Sequence, residues 1–145
     1  MSAWLRRAGR KLRSEEGTAA LELAILLPVL APLAAGIIQL GAIAQVALIT
    51  SNSAREGARY AAVSEGSTAV AQSAALSYAS SQLSGRSDVT LPALTGITVN
   101  VTGSVPGGSV KVTVPVTVSV NTPIMRNLLG ASVPLKGTAT MRVSQ

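Results

Sequence analysis

Glu22 is the side chain with the clearest chemical consequence in this sequence, because it is the only charged residue between Thr18 and Ala54. A carboxylate at the edge of a long apolar run is costly to bury, and such groups usually have a partner and a function. Two interpretations are open. Glu22 forms an ion pair in a low-dielectric environment, or it reaches back to water from a helix end. The residues around it do not decide between the two.

Side chains suited to catalysis are scarce. The sequence has no Cys and no His, and Asp88 is its single aspartate. The absence of Cys and His excludes disulfides, Cys or His metal sites, and Ser-His or Cys-His nucleophile pairs. Catalysis by a Ser-Lys pair or by paired Glu residues would need those residues to be grouped, and the basic and acidic residues outside the apolar run suggest no such cluster. We therefore expect a protein that is not an enzyme and has neither a cofactor nor a small-molecule substrate.

The N-terminus is basic. Residues 1–16 contain five basic and two acidic side chains, a net charge of +3 in a chain of net charge +6. A basic cluster in front of an apolar segment is the signal that keeps an N-terminus in the cytoplasm. Nucleic-acid-binding proteins are basic too, but no basic stripe with stacking aromatics follows here. We expect a membrane protein without a nucleic-acid partner, whose later residues lie outside the cytoplasm.

The apolar run predicts a transmembrane helix. Residues 23–38 contain no polar side chain, and residues 18–43 exceed the length of about 20 that crosses a bilayer. Pro28 and Pro32 predict a bend or a loosened turn and not a helix end, because neighbouring groups can satisfy the freed carbonyls in a membrane. A removable signal peptide is the weaker alternative, since its apolar region is usually no longer than about 15 residues.

Small residues occur both in the predicted transmembrane helix and in the helical segment after it. Gly36 and Gly41 are places where a second helix can approach closely, although glycine is common in membrane helices for other reasons. Beyond the membrane, alanines recur at helical spacing at Ala54, Ala58, Ala61 and Ala62. Arg55, Glu56 and Arg59 either fix the packing between helices there or form a solvated surface.

Residues 67–83 form a second helical pattern, preceded by a kink or a short break. From residue 88 onward the apolar period changes to two, which predicts strands with one buried face. The predicted strands are residues 97–101, 110–120 and 135–143, with a hairpin loop at 105–108 and a short helical turn at 123–130. Pro115 lies on the polar face of the longest strand and indicates an edge position or a bulge.

The fold class that follows is α+β. A long N-terminal helix, half transmembrane and half extracytoplasmic, is followed by a small antiparallel β-sheet. Three strands with one apolar face need a cover. Residues 67–83 are the candidate within the outer domain, and we expect the sheet to pack against the outer part of the first helix.

The first 63 residues resemble a bacterial family. A Gly with a Glu five residues later, at a basic-to-apolar boundary, is typical of pilins and pseudopilins, and Gly17 and Glu22 have this spacing. A closer resemblance is to the TadE-like proteins, minor pilins of the tight-adherence (Flp, type IVb) pilus. It rests on Gly17, Glu22, Ala24 and Pro28, on residues 36–41, and above all on residues 54–62, which read Ala-Arg-Glu-Gly-Ala-Arg-Tyr-Ala-Ala.

The chain departs from the family pattern at three places. Leu23 stands where an aromatic residue is usual, and Gln39-Leu40 stands where Glu-Phe is usual. Glu15 and Glu16 make the leader less basic than expected. The substitutions keep size and apolarity in part, and they argue against a role for those aromatic residues or for a second carboxylate.

The resemblance implies a minor pilin or pseudopilin of the bacterial cytoplasmic (inner) membrane that takes part in pilus assembly and surface adhesion. A prepilin peptidase would cut between Gly17 and Thr18. The new ammonium of Thr18 would then pair with Glu22 of a neighbouring subunit. The implied partners are other pilus subunits, the assembly machinery, the peptidase and membrane lipid.

The implied organisation has four parts: a basic leader at 1–17, a transmembrane helix at 18–44, an extracytoplasmic helical region at 45–85 and a sheet domain at 86–145. The alternative is an unprocessed single-pass anchor that carries a small β-rich binding domain. It has the same topology, but it requires neither cleavage at Gly17 nor assembly.

Overall fold

The computed structural model describes residues 2–103 and 107–143, with side chains from residue 17 onward. The chain divides into two compact units at the junction of Ile38 and Gln39. Helix α1, Ser2–Val63, contributes to both units. Residues 105 and 106 of the expected hairpin loop lie outside the described residues, as do the side chains of the basic leader.

The described part of the first unit is helical and exposes its apolar side chains. Leu21, Ile25 and Val29 are 64%, 66% and 67% exposed. Helix α1 continues through Pro28 and Pro32, so neither proline ends it, as predicted. Within the described residues, the helical stretch Gly17–Val63 is long and apolar enough to cross a membrane. Apolar residues on every side of a helix are stable in lipid and not in water.

The second unit begins with the outer part of α1, which ends at Val63 and is followed by helix α2, Thr68–Leu83. Between them the chain turns at Glu65 and Gly66, whose φ angles are 51° and 78°. The amide of Gly66 donates to the carbonyl of Ala61 at 2.8 Å, which closes the end of α1 in the manner of a Schellman cap. The expected break between two helices is therefore present.

The remaining elements form an antiparallel sheet of four strands with two short helical segments. They are β1 (Val89–Thr90), a 3₁₀ turn (Leu94–Gly96), β2 (Thr98–Thr102), β3 (Ser109–Ser119), α3 (Pro123–Leu129) and β4 (Ser132–Arg142). Strand β3 is central. Strand β4 pairs along the whole of one side of β3, and β2 and β1 share the other side. The α+β class, the three longer strands and the short helix between the last two are as predicted.

Pro115 occupies the central strand, so the expectation of an edge position or a bulge is wrong. Its ladder with β4 is uninterrupted from Ser109 to Ser119. The amide of Ser119 donates to the carbonyl of Asp88 on the other side. Amides alternate along a strand, so the nitrogen of Pro115 points to that other side as well. There β2 pairs only as far as Thr113, and β1 pairs only from Thr117. Proline therefore sits where a ladder hydrogen bond is not needed.

The hydrophobic core lies on one face of the sheet. Its centre is the row of alternate β3 valines, all buried: Val110, Val112, Val114, Val116, Val118 and Val120. Both helices cover this row, with Val46, Ala54, Ala58 and Ala61 from α1 and Ala71, Ala75 and Leu83 from α2. Residues 67–83 are thus part of the cover, and the outer part of α1 supplies the rest.

Gly137 marks a place where the backbones of β4 and α1 lie close together. A Cβ atom there would run into the backbone of Thr50 and lie 2.8 Å from the nitrogen of Ser51. Thr50 is fully buried, and its hydroxyl donates to the carbonyl of Val46 at 2.7 Å. The polar group is thereby satisfied within the helix, and the strand can lie directly on it.

Candidate functional site

The segment 54–62, which the sequence singles out, is divided between two faces of α1. Ala54, Ala58 and Ala61 are fully buried against the sheet and α2. At Gly57, a Cβ atom would lie 2.7 Å from the carbonyl oxygen of Ala71. The small residues of this segment therefore allow α1, α2 and β3 to pack with their backbones close together.

The charged residues of the same segment lie away from that packing. Arg55 and Arg59 are exposed, and Glu56 is half-buried. The guanidinium of Arg59 lies 5.6 Å from the centroid of the Tyr60 ring, a distance at which a cation–π attraction operates. Within the chain, packing between the helices comes from the small residues, so the role of Arg55, Glu56 and Arg59 in packing between subunits stays a prediction.

A surface groove of about 520 Å³ runs between α1 and α2. Glu56 and Tyr60 line it from α1. The lining from α2 is Val70, Ser73, Ala74, Ser77, Tyr78 and Ser81. Ser73, Ser77 and Ser81 recur every four residues and so share one helical face. This spacing is visible in the sequence, but it was not among the predicted site features. The groove brings both tyrosines of the chain and one carboxylate onto an open surface.

Helix α1 carries the other predicted site residues in its apolar part. Gly17 and Glu22 are exposed, and a Cβ atom at Gly17 would meet no atom of the described side chains within 4 Å. The same open space surrounds Gly41, whereas Gly36 is buried. Gly17 lies inside helix α1, away from either end. Glycine, which has a low helix propensity, lowers the cost of unwinding.

Arg86 and Asp88 form a clamp that the sequence did not indicate. The guanidinium donates two hydrogen bonds to the carboxylate, at 3.1 and 2.6 Å, and a third to the amide oxygen of Gln45 in α1 at 3.3 Å. Side-chain exposure is 24% for Arg86 and 21% for Asp88. The hydrogen bonds from Arg86 lower the pKa of Asp88, and burial offsets part of that effect. The clamp ties the connection between α2 and β1 to α1.

Comparison with known protein families gives a match over one segment of the chain. The family model described as TadE-like protein matches residues 17–59. This match confirms the TadE-like resemblance over the segment that begins at Gly17 and includes Glu22, Gly57 and Arg59. No curated protein and no solved structure matches the chain.

Proposed function

From the TadE-like segment at residues 17–59 we propose that this chain is a minor pilin or pseudopilin. It takes part in assembly of a type IVb (Flp/Tad) pilus and supports surface adhesion. The observation that carries the proposal is the coincidence of the family match with the helix that exposes Leu21, Ile25 and Val29. A TadE-like segment implies a Tad pilus-associated protein, and an exposed apolar helix is how a pilin is held in a membrane and then in a filament.

The proposed topology is a single crossing of the cytoplasmic membrane, with the N-terminus inside. The net charge of +3 in residues 1–16 supports this orientation. The proposed parts are the leader at 1–17, the transmembrane helix at 18–44, the helical region at 45–85 and the sheet domain at 86–145. Membrane lipid surrounds the transmembrane helix before assembly, and neighbouring subunits replace the lipid afterwards.

Processing by a prepilin peptidase between Gly17 and Thr18 is the finer part of the proposal. The open space around Gly17 supports access by a protease. Cleavage would create an ammonium on Thr18, four residues before Glu22 on the same helix face. In a filament core of low dielectric, an unpaired Glu22 would be costly, so pairing with the ammonium of a neighbouring subunit would set the register.

Cleavage is tested by producing the full chain with and without its prepilin peptidase and sequencing the N-terminus. We expect Thr18 as the first residue only when the active peptidase is present. Gly17→Val should prevent cleavage, because a branched side chain at the cut obstructs the close approach to the backbone that glycine permits. Gly41→Val, a matched change that leaves the cut intact, should be processed normally.

An N-terminus at Met1 or Ser2 with active peptidase present would contradict processing. It would favour the alternative, an unprocessed single-pass anchor with a small extracytoplasmic β-rich binding domain. Purification of pili from cells separates the two as well. We expect the chain to co-purify with the pilus subunits or with their assembly machinery, whereas a lone anchor would remain in the membrane fraction.

A further inference from the structure

Helix α3 presents apolar side chains that the described residues of its own unit leave exposed. Ile124 is 54% exposed and Leu128 is 76% exposed, whereas Met125 is only 8% exposed. Met125 holds the helix against the protein. At about 100° per residue, Ile124 and Leu128 share one side of the helix, and Arg126 lies roughly opposite them. The helix therefore has three sides: one toward the protein, one polar and one apolar and unoccupied.

The start of helix α3 is linked by a hydrogen bond to the part of α1 that directly follows the apolar run. The hydroxyl of Thr122, the residue before α3, donates to the amide oxygen of Gln39 at 3.4 Å. Gln39 comes one residue after the run 23–38. A transmembrane span of about 20 residues counted from Leu23 reaches residue 42 and so includes Gln39. The N-terminal end of α3 is thereby tied to a residue at the depth of the outer membrane surface.

We propose that α3 is a second membrane contact of this chain, which inserts Ile124 and Leu128 into the outer leaflet of the bilayer that α1 crosses. The inference rests on the proposed membrane topology. Apolar side chains on one side of a helix and Arg126 on the other are the arrangement of a helix that lies in a membrane interface. Leu40, the residue after Gln39 in α1, is itself 51% exposed.

Insertion of α3 changes how the outer unit is attached to the bilayer, because it adds a second contact to that made by α1. With the transmembrane helix as its single contact, the outer unit is attached to the bilayer through α1 alone. With α3 inserted, the end of the sheet next to α3 is held at the membrane surface. Extraction of the subunit into a filament must then remove α3 from lipid as well as the transmembrane helix.

The test uses the absence of cysteine from the sequence, which allows a label to be placed at one position at a time. Leu128→Cys in the full chain carries an environment-sensitive fluorophore and is reconstituted at one copy per nanodisc of phosphatidylethanolamine and phosphatidylglycerol. Leu33→Cys reports the transmembrane helix. Leu94→Cys is the matched apolar control, since Leu94 is 47% exposed in the turn before Ile97.

The position of Leu94 makes it a suitable control. The carbonyl of Ile97 accepts a hydrogen bond from Gln72 at 2.9 Å, next to Ala71, which packs on Gly57. Gly57 lies 18 residues after Gln39, or about 27 Å farther along α1. Leu94 is therefore an exposed leucine at the end of the outer unit away from Gln39.

We expect the label at residue 128 to be quenched by nitroxide-bearing lipid, as the label at residue 33 is, and to be several-fold less sensitive to iodide than the label at residue 94. Equal iodide quenching at residues 128 and 94, with residue 33 still quenched by lipid, would overturn the contact of α3 and leave the topology standing. Shielding of residue 128 from both quenchers would also overturn it and would indicate a protein neighbour. Loss of lipid quenching at residue 33 would overturn the topology and the α3 contact together.

Discussion

At the scale of single residues, two glycines of helix α1 have opposite surroundings. Gly57 is a point of contact, because a Cβ atom there would lie 2.7 Å from the carbonyl oxygen of Ala71 and 2.9 Å from the Cβ of Ala75. Gly41 is open, since a Cβ atom there would meet nothing within 4 Å. The residue type and its helical setting are shared, so only the neighbours distinguish the two.

Gly57→Ala should destabilise the outer unit by about 1–3 kcal/mol, because the added methyl forces α1 and α2 apart. Gly41→Ala, the matched control, should be neutral or stabilising by up to about 1 kcal/mol, since alanine is the better helix former. Chemical denaturation of the full chain in detergent, followed by circular dichroism, measures both free energies of unfolding. Equal or greater stability of Gly57→Ala would show that the helices are not in contact there.

At the scale of elements, the connection between α2 and β1 is tied to α1 through side chains. Arg86 donates to Asp88 within the connection and to Gln45 across to α1. The backbone of Asp88 contributes as well, since its carbonyl accepts from the amide of Ser119 at 2.7 Å. One short segment thus joins the outer part of α1 to the central strand of the sheet.

The lowered pKa of Asp88 predicts a dependence of stability on pH. A carboxyl whose pKa is lower in the folded state contributes stability above its unfolded pKa, near 4, and loses it as the pH falls through the folded pKa. We expect Asp88→Asn to cost on the order of 1 kcal/mol at neutral pH and to reduce the loss of stability below pH 4.

Urea unfolding of the full chain in detergent between pH 2 and pH 7 measures this difference. Glu65→Gln is the control, because it removes a carboxylate from an exposed turn position. It controls for the loss of one negative charge outside the Arg86–Asp88 clamp. If Asp88→Asn and the unmodified chain lost stability in parallel below pH 4, the clamp would contribute nothing measurable.

At the scale of the whole molecule, the two units differ in how their apolar side chains are covered. The described part of the first unit exposes large apolar side chains and carries Glu22 among them. The second unit has a buried core of valines and alanines covered by two helices. Under the proposed function, the first unit is completed by lipid or by other subunits, whereas the second supplies its own core.

Glu22→Gln should leave the chain in the membrane and permit cleavage after Gly17, but reduce its incorporation into pili. The amide keeps the size of the side chain and removes the charge that would pair with the Thr18 ammonium. Immunodetection of the chain in sheared pili and in membranes measures incorporation. Glu65→Gln, at an exposed turn position after α1, serves as the matched control outside the apolar run. Unchanged incorporation of Glu22→Gln would favour a carboxylate that merely reaches to the membrane surface.

Local pattern was sufficient to predict much of the fold. The membrane-length helix follows from the apolar run, and the strands follow from the alternating valines of residues 110–120, because hydrophobicity and period are properties of short segments. The break after Val63 and the short helix after Thr122 were expected on the same basis. The TadE-like segment was recognised from spacing and residue type alone, which is also local information.

Tertiary structure alone decided which distant residues meet. The clash that a side chain at Gly137 would make with Thr50, the contact of Gly57 with Ala71, and the hydrogen bond from Arg86 to Gln45 each join positions far apart in the chain. Pro115 is tolerated in a central strand because two different strands stop short of it, an arrangement that depends on the whole sheet. Periodicity determines which face of an element is apolar, but packing between elements determines which residue must be small and which polar group has a partner.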